Sequence, residues 1–230
     1  MLLDGAEHLQ SGLGVFCSGI EYRLASGPWT ASFITEQERA TTLKFERIMR
    51  MDWEKGLLLP NADVRETAKT VGQLEKIFRN ESARRAMDQD TVVYRVQAWC
   101  PVPDGTEGAQ FWGTTVIEPG QVDSEYFMTH GHFHLKRNRT EYYATLDGEG
   151  ALILMDETRK TWIEPMSPGS LHFIPPNVAH RIANSGKVPL RFVACWPSDA
   201  GHDYDAIRRF GFGARLLSVE GKASLVRSEK

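Results

Sequence analysis

The chain has 230 residues, of which 41% are hydrophobic and 25% charged, with a formal net charge of −3. This is the composition of a globular chain of one or two domains, long enough to bury a core without disulfide or metal staples. It lacks the basic stripe of a nucleic-acid binder, the polybasic cluster of a membrane-surface protein and the ~18 uninterrupted apolar residues of a membrane-spanning helix.

The opening segment, MLLDGAEHLQSG, has no basic n-region, and its apolar run is too short for a signal peptide. Cys17, Cys100 and Cys195 are far apart and form no CxxC, so they read as thiols in a reducing cytoplasm. The first thirty residues are punctuated by Gly and Ser and carry no assignment. Thr35-x-x-Glu38 has the form of a helix cap before Ala40, Leu43 and Ile48, although Leu43, Phe45, Met49 and Met51 also alternate as a strand would. Asp63-x-x-Glu66 is a second capping box. Val64, Ala68, Val71, Leu74, Ile77 and Phe78 follow at helical spacing, with Asn80 as a stop.

From Thr91 the texture turns to β. Val92 to Val96 and Phe111 to Ile117 are rich in branched and aromatic residues. Turn signals recur at Pro103-Asp104-Gly105, Pro119-Gly120, Asp147-Gly148, Pro168-Gly169, Pro175-Pro176-Asn177 and Ser185-Gly186. Many short strands between such turns predict an antiparallel sandwich or barrel rather than βαβ units.

The histidines are unevenly placed: of seven, six lie between positions 130 and 202. His132 and His134 are one residue apart, so in an extended segment both imidazoles face the same side. Glu141 follows after a turn through Lys136-Arg137-Asn138-Arg139, whose charges are read as solvated, and a hairpin would bring it beside the pair. His180 is the fourth candidate. Three imidazoles and one carboxylate suit a divalent first-row metal: Fe, Mn, Co, Ni or Zn. The absence of an accompanying cysteine disfavours a closed structural zinc site. His130 and His172 are read as structural, and His8 is given no role.

These residues carry a resemblance. Gly131-His132-x-His134, Glu141 and Gly148 are similar to the first motif of the cupins, and Gly169, Pro175, Asn177, His180 and Asn184 to the second. The long gap between His134 and Glu141, and Asn177 in place of a glycine, resemble one branch, the cupin-type glucose-6-phosphate isomerases. Gly113-Thr114-Thr115-Val116, Glu141-x-Tyr143, Ala179-His180-Arg181 and Asp199-Ala200-Gly201-His202-Asp203-Tyr204 match that branch in order, over roughly residues 64 to 220.

The resemblance implies a mainly β fold, a single cupin (double-stranded β-helix, jelly-roll) barrel with a helical N-terminal extension. The expected layout is an extension of unknown role over 1–60, a helical lead-in over 61–90, the barrel over 91–220 and a tail over 221–230. It further implies one divalent metal per subunit, Fe2+ before Mn2+, Ni2+, Co2+ or Zn2+, held by His132, His134, Glu141 and His180. A cytoplasmic homodimer acting on a small sugar phosphate, with neither nucleic acid nor membrane as partner, completes the expectation. An aldose–ketose isomerase moves a hydrogen between C1 and C2. A metal on O1 and O2 can stabilise the developing charge, and a base such as Glu141 can shuttle the proton through an enediol. A direct hydride shift stays open. By the resemblance Thr115, Thr129 and the Gly131 N–H bind phosphate, Trp196 stands where a tyrosine is common, Tyr143 and Tyr204 support the substrate, and His202 assists ring opening. The alternatives are a neighbouring reaction such as mannose-6-phosphate isomerisation, an Fe(II) cupin dioxygenase, and a non-catalytic sugar-binding cupin.

Overall fold

The computed structural model describes residues 31–33, 41–43 and 48–228. Two units divide at Ile48. In the first, β1 (Ala31–Phe33) and β2 (Thr41–Leu43) pair antiparallel. The candidate cap Thr35-x-x-Glu38 lies outside the described residues.

The second unit begins with the short pair β3 (Met51–Asp52) and β4 (Leu57–Leu58). It continues with β5 (Val64–Thr70), α1 (Glu81–Ala86), β6 (Val92–Trp99), β7 (Gln110–Ile117), β8 (Gln121–Val122) and β9 (Glu125–Tyr126). β10 (Glu141–Asp147), β11 (Gly150–Met155), β12 (Thr161–Met166), β13 (Leu171–Ile174), β14 (Ala179–Asn184) and β15 (Leu190–Pro197) follow. α2 (Tyr204–Phe210), β16 (Ala214–Val219) and β17 (Lys222–Arg227) close the unit.

Every strand pairing is antiparallel. One sheet has six strands in the order β13-β10-β15-β7-β6-β5, a second has the order β12-β11-β14, and a third the order β17-β16-β9-β8. All six residues of β11 and all six of β14 are buried. Leu152, Ile153, Leu154 and Ile182 from these strands join Ile117, Ile174, Leu190 and Phe192 of the six-stranded sheet in one apolar core. Each fully buried aliphatic side chain of this kind contributes about 1.5–3 kcal/mol. The mainly β, antiparallel fold read from the turn spacing, and the barrel that the resemblance implies, are thus the observed architecture.

Two expectations fail. The capping box at Asp63 opens a strand, not a helix: β5 pairs along its length with β6, from Val64 opposite Trp99 to Thr70 opposite Val92. The apolar residues that mimicked a helical stripe split between two structures. Val64 and Ala68 belong to this edge strand, while Val71, Leu74, Ile77 and Phe78 are buried from an irregular segment with one 3-10 turn at Gly72–Leu74. Asn80 begins a helix instead of ending one, its side chain accepting from the Ala83 N–H at 3.0 Å. The segment expected as a C-terminal tail holds β17, which pairs with β16 from Lys222 to Arg227.

Candidate metal centre and substrate cavity

The four candidate ligands come from three places. His132 and His134 lie on an extended segment that borders β14: His132 N–H donates to His180 O at 3.2 Å, and His180 N–H returns the bond to His132 O at 3.0 Å. Phe133 points the other way into the core, as period-two alternation requires. Glu141 is the first residue of β10 and His180 the second of β14. The expected hairpin between the histidine pair and Glu141 is therefore not what forms. β10 pairs with β13 and β15, and the carboxylate reaches the imidazoles across the barrel from the opposite sheet.

One donor atom from each of His132, His134, Glu141 and His180 lies within 4.8 Å of the others. Glu141 Oε2 is 3.2 Å from His134 Nε2 and 3.2 Å from His180 Nε2. The second pair is off the line a hydrogen bond needs, and His132 Nε2 and both ring nitrogens of His180 have no hydrogen-bond partner among the described residues. Buried imidazole nitrogens without partners are costly unless something fills the space between them. A first-row divalent cation answers that need, and the N3O donor set suits it.

Burial alone would push the Glu141 carboxyl up, but the His134 and His180 imidazoles outweigh it and hold the pKa at about 2. Burial pulls His132 well below the usual imidazole range, reinforced by the neighbouring His180 and His202. For His134 burial acts downward, yet the Glu141 carboxylate prevails and raises it. The site thus holds one ionised carboxylate beside imidazoles, and the same charge that attracts a proton to His134 would attract a cation.

The loop between His134 and Glu141, read as solvated, is tied down. Asp199, its side chain buried, accepts from Arg139 Nε at 2.9 Å, Arg139 Nη2 at 2.7 Å and Lys136 Nζ at 2.7 Å. Arg137 pairs with Asp203 at 2.5 Å. The same segment that carries His202 and Tyr204 therefore clamps the loop that carries His134, and the Asp203 carboxylate also caps α2 by accepting from the Ala206 N–H.

Three of the four candidate ligands, His132, Glu141 and His180, line a cavity of about 260 Å3. Thr115, Thr129, Gly131, Tyr143, Trp196, His202 and Tyr204 all line it, so every substrate residue expected from sequence is brought together. Tyr143 shares the inner face of β10 with Glu141, its ring centroid 5.9 Å from that of His180. Burial first, then the Glu141 charge, pushes the Tyr143 phenol far up and keeps it neutral. His202 packs at 4.3 Å from the His132 ring and lies parallel to Tyr204 at 5.5 Å. Trp196 occupies room that only a glycine at 113 leaves: a Cβ there would meet the indole at 2.9 Å. Gly131 has φ +77°, and a Cβ at that position would meet Arg181 and Phe212 at 2.9 Å.

Sequence reading missed four polar lining residues. His130 was taken as structural, but it lines the cavity, 4.9 Å from the Tyr204 ring. Tyr94, Thr67 and Lys69 line the cavity from β6 and β5. The signal that would have found them is the alternation of β5, hidden by its helix-like spacing. His172 is structural as expected, bonded to Glu164 at 2.8 Å and Ser170 at 2.9 Å.

A barrel of this build, with three imidazoles and a carboxylate converging inside it, defines the class: a cupin with a side-chain cluster that could hold a metal ion. Comparison with known proteins then narrows it. A family model described as glucose-6-phosphate isomerase (GPI) matches residues 68–230. Proteins named glucose-6-phosphate isomerase from Pyrococcus horikoshii and Thermococcus kodakarensis are similar. The first is 36% identical over 181 residues, covering 77% of this chain and 93% of that one. The second is 37% identical over 178 residues, covering 76% and 91%. Among solved structures, an oxalate oxidase in complex with glycolate aligns with a TM-score of 0.39 at 14% identity, covering 63% of this chain and 56% of that one. The chain belongs to the glucose-6-phosphate isomerase family.

Proposed function

We propose that this protein interconverts glucose 6-phosphate and fructose 6-phosphate with the help of one divalent metal, Fe2+ first and Mn2+, Ni2+, Co2+ or Zn2+ as substitutes. The observation that carries this reading is the convergence of His132, His134, Glu141 and His180, three of which line the cavity, in a chain of this family. Those four side chains would hold the ion. When bound, the ion supplies Lewis-acid stabilisation of charge on the substrate's O1 and O2.

The remaining work falls to the chain's own groups. The Glu141 carboxylate, kept ionised, is placed to take a proton at the C1–C2 edge with the oxygen not turned toward the imidazoles. His202, exposed at the cavity mouth, exchanges a proton with the sugar ring oxygen during opening. Tyr143 and Tyr204 stay protonated and donate to sugar hydroxyls. Thr129 Oγ1 already accepts from the Ile182 N–H at 3.1 Å, which leaves its own hydrogen for a phosphate oxygen. Thr115, the Gly131 N–H and the Trp196 indole N–H would add donors in the same cavity.

A homodimer and a cytoplasmic setting belong to the same proposal. Support for the dimer comes from β13, one edge of the six-stranded sheet, where Leu171 is 69% exposed and Phe173 packs with its ring tilted 45° to that of the half-exposed Tyr142. Among the described residues no helix is long and apolar enough to cross a membrane.

A coupled assay of fructose 6-phosphate conversion, run with EDTA and with added Fe2+ or Mn2+, tests the reading. Turnover with metal and its loss with EDTA are expected. No turnover with any divalent ion would overturn the proposal.

A further inference from the structure

We propose that Lys69 is the cation that binds the dianionic phosphate of the substrate, an inference that rests on the sugar-phosphate reading of this cavity. Among the described residues lining the cavity, Lys69 is the only Lys or Arg. The donors otherwise available for a phosphate there, Thr115, Thr129, the Gly131 N–H and the Trp196 indole, are all neutral.

The placement follows from register. Tyr94, Val96 and Ala98 alternate along β6 and face the cavity. Their partners on β5 are Lys69, Thr67 and Arg65. Thr67 and Lys69 reach the lining, so this edge strand offers the cavity one cationic side chain and one hydroxyl. Arg65 is neutralised by Asp104 at 2.8 Å. Lys69 forms no ion pair among the described residues, and it is half-buried against Tyr94. A lysine so placed, with its stem along an aromatic neighbour and its charge unmatched, is set to receive an anion.

Strand order also keeps the two groups apart while both line one cavity: β10, which carries Glu141, and β5, which carries Lys69, are the second and last strands of the six-stranded sheet. The substrate has its reacting C1–C2 pair at one end and its dianion at the other, as this cavity has its carboxylate and its lysine.

The test compares wild type with Lys69→Met and Lys69→Arg, each loaded with metal. For Lys69→Met, KM for fructose 6-phosphate and the inhibition constant of inorganic phosphate should both rise at least about tenfold, with kcat within about threefold. Lys69→Arg should stay within about threefold of wild type on all three, because charge is retained. Unchanged KM and unchanged phosphate inhibition in Lys69→Met overturn the assignment. If wild type itself fails to turn over fructose 6-phosphate, the isomerase reading falls separately. Lys69 is then judged by calorimetric binding of inorganic phosphate, where equal affinity in both proteins, or binding to neither, overturns it.

Discussion

The two ends of the cavity are built differently. At the histidine end each ligand is fixed by the fold: His132 and His180 by reciprocal backbone bonds, His134 by a loop clamped to Asp199, Glu141 by the inner face of β10. Three of the four are buried. Along the rest of the cavity the groups are hydroxyls, an indole and a lysine, displayed partly on β5, an edge strand. On the proposed function the buried cluster would set which bond is rearranged, and the other lining groups how tightly a given sugar phosphate is held. Changes at the first end should therefore act on kcat, and changes at the second on KM.

The largest effect is expected at the rigid end. His134→Ala removes a ligand and leaves Glu141 with one imidazole neighbour, so bound metal and activity should fall together. A loss of roughly 10^3-fold in kcat/KM, about 4 kcal/mol of transition-state stabilisation, is the expected size. Metal analysis and steady-state kinetics on one preparation check both. Full activity without metal would break the comparison at its stronger end.

Asn184 joins the ends. It is fully buried at the end of β14, the strand of His180. Its amide donates at 2.9 Å to the carbonyls of Ile117, on the strand of Thr115, and of Val188, while its oxygen accepts from the Gly186 N–H at 2.9 Å. Asn184→Ala strands these groups and should cost about 1–3 kcal/mol, read as a lower midpoint in denaturant with metal-binding stoichiometry retained.

Asp199→Asn loosens the clamp on the His134 loop. Arg139 first and Lys136 second hold the Asp199 carboxyl well below the usual carboxylate range. A carboxyl depressed in the folded state contributes stability above its unfolded pKa and loses it as pH falls through the folded value. The Tm gap between wild type and Asp199→Asn should thus be widest near neutrality and narrow below about pH 4. A gap that widened on acidification would remove the clamp from the account.

The smallest effect belongs to the adaptable end. Thr129→Ala should raise KM for fructose 6-phosphate about three- to tenfold with kcat little changed, since one neutral donor among several is lost. A fall in kcat as large as that of His134→Ala would mean that the two ends act as one unit.

Most of the rigid end was legible in the sequence, because its information is local. HxH parity, the later Glu141 and the His180 segment need only an extended chain and a turn. What the spacing could not show was the partner strand: a hairpin and a cross-barrel approach place Glu141 equally close. The adaptable end was legible where it lies on β7 and β15 and illegible on β5. An edge strand carrying Val64 and Ala68, followed by Val71, Leu74, Ile77 and Phe78 in an irregular but buried segment, imitates a helical stripe. Only the pairing with β6 distinguishes the two, and that pairing is long-range. His130 was misjudged beside Gly131, whose φ is positive.

The central claim is that one metal at the four-residue cluster drives sugar-phosphate isomerisation. Its most direct test is reconstitution: protein stripped with EDTA and titrated with Fe2+ while fructose 6-phosphate conversion is followed. Activity should rise from near zero and saturate at one equivalent per chain in wild type, and should stay flat in His134→Ala. Full turnover by the stripped protein, or no turnover at any metal loading, would contradict the account.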